Sequence, residues 1–263
     1  MSQHRKTIWI TGASSGIGKA LALGYAAQGA NLVLSARNVE KLQAVAEACQ
    51  TEGEVFIRPL DIANYAALEA PVMDILREVP PIDILINNAG ISQRCKVEDS
   101  TLALDQQIMD LNYFGVVAMT RLVLTQMIER QKGHMVVISS IAGLLGTPYR
   151  SAYCASKHAV RAWYDALRGE VNDRNIQVTV VCPGYIKTDI SINALGKGGQ
   201  KHNKMDENQA NGMDVETCAK IIIEGIEAGR TELLIGGKEK KAAYLKRFFP
   251  KLVEKKLMGF KPH

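Results

Sequence analysis

The stretch TIWITGASSGIGKALALGYAAQG, residues 7–29, runs from a short apolar segment through a glycine-rich turn into a helical pattern. The same order of short apolar segment and longer helical pattern repeats along the whole chain. Several of the short segments are apolar almost continuously, as strands covered on both faces are. The predicted strands lie at 7–11, 31–36, 54–60, 82–87, 133–140, 176–183 and 231–236. This alternation predicts an α/β fold in which right-handed units build one parallel seven-stranded sheet between two layers of helices.

The turn after the first strand carries glycines in the spacing G-x-x-x-G-x-G. Gly12 permits a tight exit from the strand, Gly16 lets the backbone approach a pyrophosphate, and Gly18 lets the helix lie close to the sheet. The helix N-terminus offers unpaired N–H groups to an anion. The turn therefore predicts a single-domain, doubly wound Rossmann fold that binds a dinucleotide. The residues predicted to bind it here are Gly12, Ser14, Ser15, Gly16, Ile17 and Gly18.

The end of the second predicted strand bears on which dinucleotide is bound. A carboxylate there would accept hydrogen bonds from the adenosine ribose and favour NAD. This chain instead has Ser35, Ala36 and Arg37. A guanidinium suits a 2′-phosphate, so Arg37 indicates NADP(H) as the cofactor. The alternative is that Arg37 is an ordinary solvated side chain.

The segment SAYCASKHAV, residues 151–160, places Tyr153 and Lys157 four positions apart in a predicted helix. Both side chains then leave the same face about one turn apart. The spacing alone leaves two interpretations open. Either this is an ordinary amphipathic face, or a phenol is held beside a cation so that it can transfer a proton.

Composition and charge limit the kinds of protein this can be. The chain has 263 residues, of which 47% are apolar and 22% charged, as is typical of a soluble globular protein. Its net charge is +5, but residues 238–263 hold nine Lys or Arg and two Glu, a local balance of +7. The remainder therefore carries −2, which argues against nucleic acid as a partner.

Other patterns bear on compartment and metal binding. The five cysteines are scattered without a C-x-x-C pair, and the five histidines lack ligand spacing, so we expect neither a disulfide framework nor a metal site. The start of the chain does not resemble a signal peptide, and we expect no membrane-spanning helix. These patterns predict a cytoplasmic protein.

The last part of the chain differs in character from the rest. We expect a catalytic domain over 1–237 and a basic amphipathic tail over 238–263. Such a tail either covers the pocket entrance or a subunit seam, or rests weakly on an anionic membrane surface. We favour the packing role.

Several short motifs follow one another in a recognisable order. They are TGASSGIG at 11–18, NNAG at 87–90, LNYFG around Asn112, ISS at 138–140, YCASK at 153–157 and PGYIKT at 183–188. Together they resemble the short-chain dehydrogenase/reductase family over nearly the whole chain. The amino-acid sequences of these motifs are most similar to the branch that contains dehydrogenase/reductase members 7 and 7B, near the 11-beta-hydroxysteroid dehydrogenases.

The resemblance implies a role for each catalytic position. Tyr153 is the acid/base, and Lys157 binds the nicotinamide ribose and favours the phenolate. Ser140 holds the substrate oxygen; its neighbour Ser139 points the opposite way on an extended strand, so only one of the two can serve. Asn112 corresponds to the residue that holds a water linking Lys157 to solvent.

The resemblance also implies the walls of the binding site. The further cofactor residues are Asp61, Ile62, Asn88, Ala89, Gly90, Pro183, Gly184, Ile186 and Thr188, together with Tyr153 and Lys157. The substrate residues are Ser140, Tyr153, Leu145, Tyr149 and Tyr185, in a mainly apolar pocket under a mobile lid at about 190–213. A hydrophobic ketone, aldehyde or alcohol fits such a pocket.

We therefore expect an NADP(H)-dependent oxidoreductase. Three alternatives stay open: a catalytically idle regulatory protein on the same fold, an NAD-linked alcohol dehydrogenase, and a peripheral membrane protein. Apolar positions on more than one face of the helices at 100–131 and 151–174 predict a homodimer or homotetramer.

Overall fold

The computed structural model describes residues 5–258, without the side chains of Lys256 and Met258. Residues 1–4 of the predicted catalytic domain and 259–263 of the predicted tail lie outside the described residues. The strands are β1 Thr7–Thr11, β2 Asn31–Ser35, β3 Val55–Ile57, β4 Ile84–Asn87, β5 Gly133–Ile138, β6 Ile176–Pro183 and β7 Glu232–Ile235. They form one parallel sheet in the order β3-β2-β1-β4-β5-β6-β7, which confirms the predicted fold class.

Helices cover both faces of this sheet. They are α1 Gly16–Ala26, α2 Val39–Ala48, α3 Glu69–Glu78, α4 Leu102–Met109, α5 Gly115–Arg130, α6 Ser151–Glu170, α7 Glu207–Ala210, α8 Val215–Glu227, α9 Glu239–Phe248 and α10 Pro250–Met258. One core, which includes Leu21 and Ile222, lies between the sheet and helices α1, α2 and α8. The other, which includes Val123 and Tyr164, lies between the opposite face and α3, α5 and α6. The sheet is thus buried on both sides, as its nearly continuous apolar strands require.

Two predicted elements differ from the structure in informative ways. The predicted strand at 54–60 keeps only Val55–Ile57, although the N–H groups of Arg58 and Leu60 still donate to the Leu34 and Ala36 carbonyls. The predicted helix at 100–131 is divided by a π-helical turn at Asp110–Phe114, which joins α4 to α5. A π turn of this kind breaks the regular hydrogen-bond ladder, and such turns are frequent at functional sites.

The combined helical segment Leu102–Arg130 is long and apolar enough, by length and composition, to cross a membrane. Its inner face carries Val116, Met119, Val123 and Met127, which are buried in the core against the sheet. Packing against the sheet therefore accounts for part of this apolar composition.

The order of the strands determines where a ligand can bind. The connections run in opposite directions from β1 and β4, so the carboxyl ends of these neighbouring strands diverge into a crevice. The glycine turn follows β1, and Asn88–Gly90 follows β4. The two segments singled out by the sequence therefore border the same crevice.

Candidate active site

A cleft of about 1260 Å³ opens along the carboxyl ends of the strands. Most of the predicted site residues line it. They are Gly12, Ser14, Ser15, Gly16, Ile17, Arg37, Asp61, Ile62, Asn88, Ala89, Gly90, Ser140, Leu145, Tyr153, Lys157, Pro183, Gly184, Tyr185, Ile186 and Thr188. The cleft therefore joins the glycine turn at one end to the tyrosine and lysine of α6 at the other.

The glycine turn is shaped to hold an anionic group at the start of α1. Gly12 and Gly16 have positive φ angles of 66° and 52°, which side chains with a Cβ rarely adopt. A Cβ at Gly12 would lie 2.8 Å from Ala89 Cα, so the turn lies against the segment after β4. The Ser15 side chain does not cap α1, which leaves its first N–H groups available to a ligand. These features fit the pyrophosphate of a dinucleotide.

Gly18 has a packing role and does not line the cleft. A Cβ there would overlap the carbonyl oxygen of Gly12 and the Asn88 amide. Asn88 Nδ2 donates to the carbonyl oxygens of Thr11 and Gly12, 3.1 Å away in each case. Thr11 Oγ1 in turn accepts from the backbone N–H of Asn88 and of Ala89. These bonds fix the two sides of the crevice to each other.

The opposite wall of the adenosine end carries positive charge. Arg37 lines the cleft just after β2, and Lys41, one turn into α2, lines it as well. Asn38 Oδ1 accepts from the Lys41 N–H at 2.7 Å and so begins α2 at this point. Lys41 was missed in the sequence; the signal available was its i+4 spacing from Arg37 across a helix start.

The predicted catalytic side chains meet at the other end of the cleft. Lys157 Nζ donates to the Ile138 carbonyl at 2.9 Å and lies 5.9 Å from the centroid of the Tyr153 ring. Both Ser139 and Ser140 border the cleft, but Ser139 is buried and its Oγ donates to the Lys157 carbonyl, whereas Ser140 Oγ donates to the Pro183 carbonyl. The two hydroxyls have different partners, as the alternation of an extended strand requires, and the role of Ser140 stays a prediction.

Burial sets the protonation state of Tyr153. It raises the pKa of the phenol above its ordinary value, while a hydrogen bond with Ser140 and the charge of Arg150 lower it by less. We expected the Lys157 ammonium to favour the phenolate. In this structure that influence comes from Ser140 and Arg150, and desolvation outweighs both. The phenol is therefore protonated at neutral pH.

Burial also lowers the pKa of Lys157 from 10.5 to about 8. Between these values the unfolded chain binds more protons than the folded chain, so stability rises with pH there. At pH 7 the charged ammonium costs up to about 3 kcal/mol, at 1.36 kcal/mol per pKa unit.

Lys157→Met removes the charge and keeps the length of the side chain. We expect it to raise the free energy of unfolding at pH 7 by up to about 3 kcal/mol. The gain should shrink as the pH rises from 8 toward 10.5, because the wild-type lysine then becomes neutral. Urea denaturation at pH 7 and pH 10, with the exposed Lys220→Met as a control, measures this. A gain that does not change with pH would contradict the burial argument.

Asn112 lies in the π turn, fully buried behind the cleft. Its Oδ1 accepts from the Ile91 N–H, and its Nδ2 donates to the Ile91 carbonyl and to Ser156 Oγ. Gly90 lies beside both Asn112 and Lys157: a Cβ there would be 3.1 Å from Asn112 Oδ1 and 3.4 Å from Lys157 Nζ. The amide therefore fixes the segment after β4 against α6.

Gln93 is a positioning residue that the sequence did not reveal. It is fully buried, and its Oε1 accepts from the Ala152 N–H at 2.8 Å and from the Tyr153 N–H at 3.4 Å. These are among the first N–H groups of α6, which lack partners within the helix. Gln93 thus caps the helix that carries Tyr153 and Lys157. Its place in the sequence, 59 residues before Ala152, gives no local signal of this role.

Two buried arginines lie in the substrate end of the cleft, whose predicted wall is mainly apolar with few charges. Arg94 and Arg150, both buried, line it and hold the carboxylate of Asp206. Asp206 Oδ2 accepts from Arg94 Nη2 at 2.6 Å and from Arg150 Nη2 at 3.0 Å. Two guanidinium groups against one carboxylate leave a net positive charge. Arg150 Nε is buried and has no hydrogen-bond partner among the residues that the structure describes.

Asp206 belongs to the segment that we predicted to be a mobile lid. The ion pairs of Asp206 with the two arginines are one link between this segment and the body of the protein. Backbone hydrogen bonds from Leu195, in the same segment, to Ser92 and Arg94 are a second link. Gln209, buried in α7, donates to the Ile186 carbonyl and to Thr188 Oγ1. The lid is therefore anchored to the loop after β6 and to the segment after β4.

Tyr149 departs from its predicted place in the substrate wall. It has a positive φ of 66°, and its carbonyl accepts from the Cys95 N–H. It does not line the cleft. The left-handed turn of the backbone directs the chain into α6 and leaves Leu145 and Tyr185 on the wall.

The family can be identified at this point. The family model for short chain dehydrogenases matches residues 6–197, which include the glycine turn, Tyr153 and Lys157. The chain is a short-chain dehydrogenase/reductase. It therefore belongs to a family of oxidoreductases, as its motifs predicted.

Curated relatives support this family assignment, and their similarity extends over most of the chain. Dehydrogenase/reductase SDR family member 7B of Mus musculus is 40% identical over 248 residues, covering 92% of this chain and 74% of the relative. The member 7B protein of Xenopus laevis is 41% identical over 251 residues, covering 92% and 78%. These matches confirm the predicted branch.

Solved structures of other short-chain dehydrogenases share the fold. A short-chain dehydrogenase from Sphingobium yanoikuyae in complex with NADPH is 26% identical, with a TM-score of 0.78, and covers 97% of this chain and 96% of its own. A short chain dehydrogenase/reductase from Burkholderia phymatum in complex with NAD has a TM-score of 0.82 at 23% identity, covering 96% of each chain.

Proposed function

We propose that this protein is an NADP(H)-dependent oxidoreductase that interconverts a carbonyl group and its alcohol. The observation that carries the proposal is that one continuous cleft joins the glycine turn and Arg37 to Tyr153, Lys157 and Ser140. A dinucleotide spans such a cleft with its pyrophosphate at the start of α1. When bound, the cofactor supplies or accepts the hydride.

The side chains of α6 and β5 would carry the proton chemistry. Tyr153 is protonated at neutral pH, so it can donate a proton to a substrate oxygen as that oxygen gains charge. The Ser140 hydroxyl, hydrogen-bonded with Tyr153, can hold the same oxygen. Lys157 binds the ribose at this end of the cleft. Burial of the site excludes water and strengthens each of these interactions.

The proposal of NADP(H) rather than NAD(H) depends on Arg37. No carboxylate stands at residues 35–37, and Arg37 and Lys41 both face the cleft. The S. yanoikuyae neighbour carries NADPH and the B. phymatum neighbour NAD, so the fold accommodates either cofactor. The local charge of this chain favours the phosphorylated one.

Arg37→Ala should weaken NADPH binding by roughly ten- to a hundredfold, because one charge-assisted contact contributes about 1.5–3 kcal/mol. NADH binding should hardly change, since NADH lacks the 2′-phosphate. Fluorescence titration of both cofactors measures this. The control is Arg77→Ala, which removes an exposed arginine on α3. Equal losses for NADPH and NADH would place Arg37 away from the phosphate.

The substrate class follows from the walls near Tyr153. Ala142, Leu145 and Leu195 make one part apolar, whereas Arg94 and Arg150 add positive charge. We propose a hydrophobic ketone or aldehyde, or the matching alcohol. A panel of carbonyl compounds followed by NADPH absorbance tests this, and it should include pairs with and without a carboxylate because of the charge on the wall.

The same panel tests the alternative of a catalytically idle cofactor-binding protein. A protein that binds NADPH tightly and turns over none of the panel would favour that alternative.

We also propose a homodimer or homotetramer through α5 and α6, since Val117 and Trp163 stay partly exposed on these helices. Light scattering gives the mass.

A further inference from the structure

The C-terminal hairpin, defined here as residues 238–258 with helices α9 and α10, presents large apolar side chains to solvent. Tyr244, Leu245, Phe248, Phe249 and Leu252 are 59%, 40%, 71%, 59% and 58% exposed. They are five of the twelve exposed large apolar side chains among the described residues, gathered in nine positions. Exposed apolar residues are normal when scattered, but a cluster of this kind marks an interaction surface.

Positive charge surrounds this apolar cluster. The described basic side chains of the hairpin are Lys238, Lys240, Lys241, Lys246, Arg247, Lys251 and Lys255. None of them is in an ion pair with another described residue. Of the two acidic residues, Glu239 is turned toward the body, where Oε1 accepts from the N–H groups of Tyr185 and Gly237. The outer surface is therefore both apolar and positive.

The inner face of the same hairpin closes the cleft. Val253 is buried, and Leu245, Leu252, Val253 and Leu257 all line the cleft. A Cβ at Gly184 would overlap the Glu239 carboxylate, so α9 begins in close contact with the loop after β6. Leu245 and Leu252 belong both to the exposed apolar cluster and to the lining of the cleft. The mouth of the cleft therefore opens at the exposed apolar cluster.

We propose that the C-terminal hairpin docks this protein on an anionic lipid surface. Phe248 and Phe249 would enter the boundary between headgroups and acyl chains, while Lys246, Arg247 and Lys251 would meet the anionic headgroups. Long basic side chains can lie along apolar surface and still keep their charge at the headgroups.

Charge argues against a second copy of the chain as the occupant. In a symmetric pair the same patch meets itself, so Lys246 and Arg247 would face the same two cations. Glu254 is the only described outward acidic residue of the hairpin available to offset them. An anionic lipid surface supplies the missing negative charge and accepts the aromatic rings.

Docking in this orientation would place the mouth of the cleft at the lipid boundary. An apolar carbonyl compound dissolved in the lipid could then reach Tyr153 without crossing water. This consequence rests on the proposed function, whereas the docking does not. Vesicle binding and turnover therefore have to be measured separately.

Co-sedimentation of the full-length protein with vesicles tests the docking. Vesicles of phosphatidylcholine alone are compared with vesicles that also contain phosphatidylserine. The wild type should bind the anionic vesicles, more weakly as salt is added. Phe248→Ser with Phe249→Ser should weaken this binding roughly tenfold or more, and Lys246→Gln with Arg247→Gln roughly fivefold per charge. The control pair is Val97→Ser with Leu102→Ser, equally exposed apolar residues elsewhere.

Two further measurements keep the outcomes distinct. Phe248 and Phe249 do not line the cleft, so their variant should keep wild-type turnover of a water-soluble carbonyl compound and an unchanged melting temperature. Wild-type protein that binds neither kind of vesicle would overturn the proposal, as would unchanged binding by the phenylalanine variant. A phenylalanine variant of smaller mass by light scattering, without vesicle binding by the wild type, would make the hairpin a subunit seam and also overturn it.

Discussion

Tyr153→Phe is expected to lower the turnover of NADPH with a reducible carbonyl compound by about 10²–10⁴-fold, the range that general acid catalysis contributes. The substitution removes one oxygen and leaves the buried ring in place. The NADPH dissociation constant should stay within a few-fold, because the phenol contributes little to cofactor binding. Steady-state turnover and fluorescence titration give the two values.

A second tyrosine, Tyr149, provides a matched control for the loss of a phenol oxygen. Tyr149→Phe removes the same oxygen four residues earlier, from a side chain that does not line the cleft, and should leave turnover nearly unchanged. If Tyr153→Phe kept more than about a tenth of wild-type turnover, Tyr153 would not be the acid.

Asp206→Asn is expected to lower the free energy of unfolding by about 3–5 kcal/mol, as the loss of one partner from a buried ion pair does. The carboxylate holds two buried guanidinium groups, and its neutral replacement leaves both charges without a counterion. Native proteins are stable by only about 5–15 kcal/mol, so this loss is large. Urea denaturation at neutral pH measures it.

The control for Asp206 is Asp74→Asn, which removes an exposed carboxylate paired with Arg77 on α3. Exposed pairs of this kind contribute about 0–1 kcal/mol. A similarly small loss for Asp206→Asn would mean that solvent reaches the Arg94–Asp206–Arg150 cluster. The lid would then be more weakly anchored than the hydrogen bonds indicate.

Most of the sheet could be predicted from the sequence because the signals for strands and turns lie within a few neighbouring residues. The strands at 7–11 and 176–183 were predicted with the bounds that the structure shows, and each is a β-branched run ended by Gly or Pro. The prediction that Ser139 and Ser140 point to different partners also needed only the alternation of a strand. Elements whose limits follow from periodicity and turn residues can be predicted in this way.

The rest depends on contacts between distant parts of the chain. Asp206 meets arginines 112 and 56 residues earlier, which no local pattern indicates. The π turn around Asn112 depends on its bonds to Ile91 and Ser156. Arg150 turns into the mainly apolar cleft from the start of α6. Its sequence neighbours could not reveal that direction.

We propose above all that this protein transfers a hydride from NADPH in the cleft that ends at Tyr153. The most direct measurement uses NADPH deuterated at the transferable position of the nicotinamide, incubated with the wild type and with Tyr153→Phe in the presence of the carbonyl panel. Mass spectrometry of the products should show at least one alcohol with deuterium on the former carbonyl carbon, formed by the wild type and nearly absent with the variant. Tight NADPH binding with no labelled alcohol from any member of the panel would contradict the proposed function.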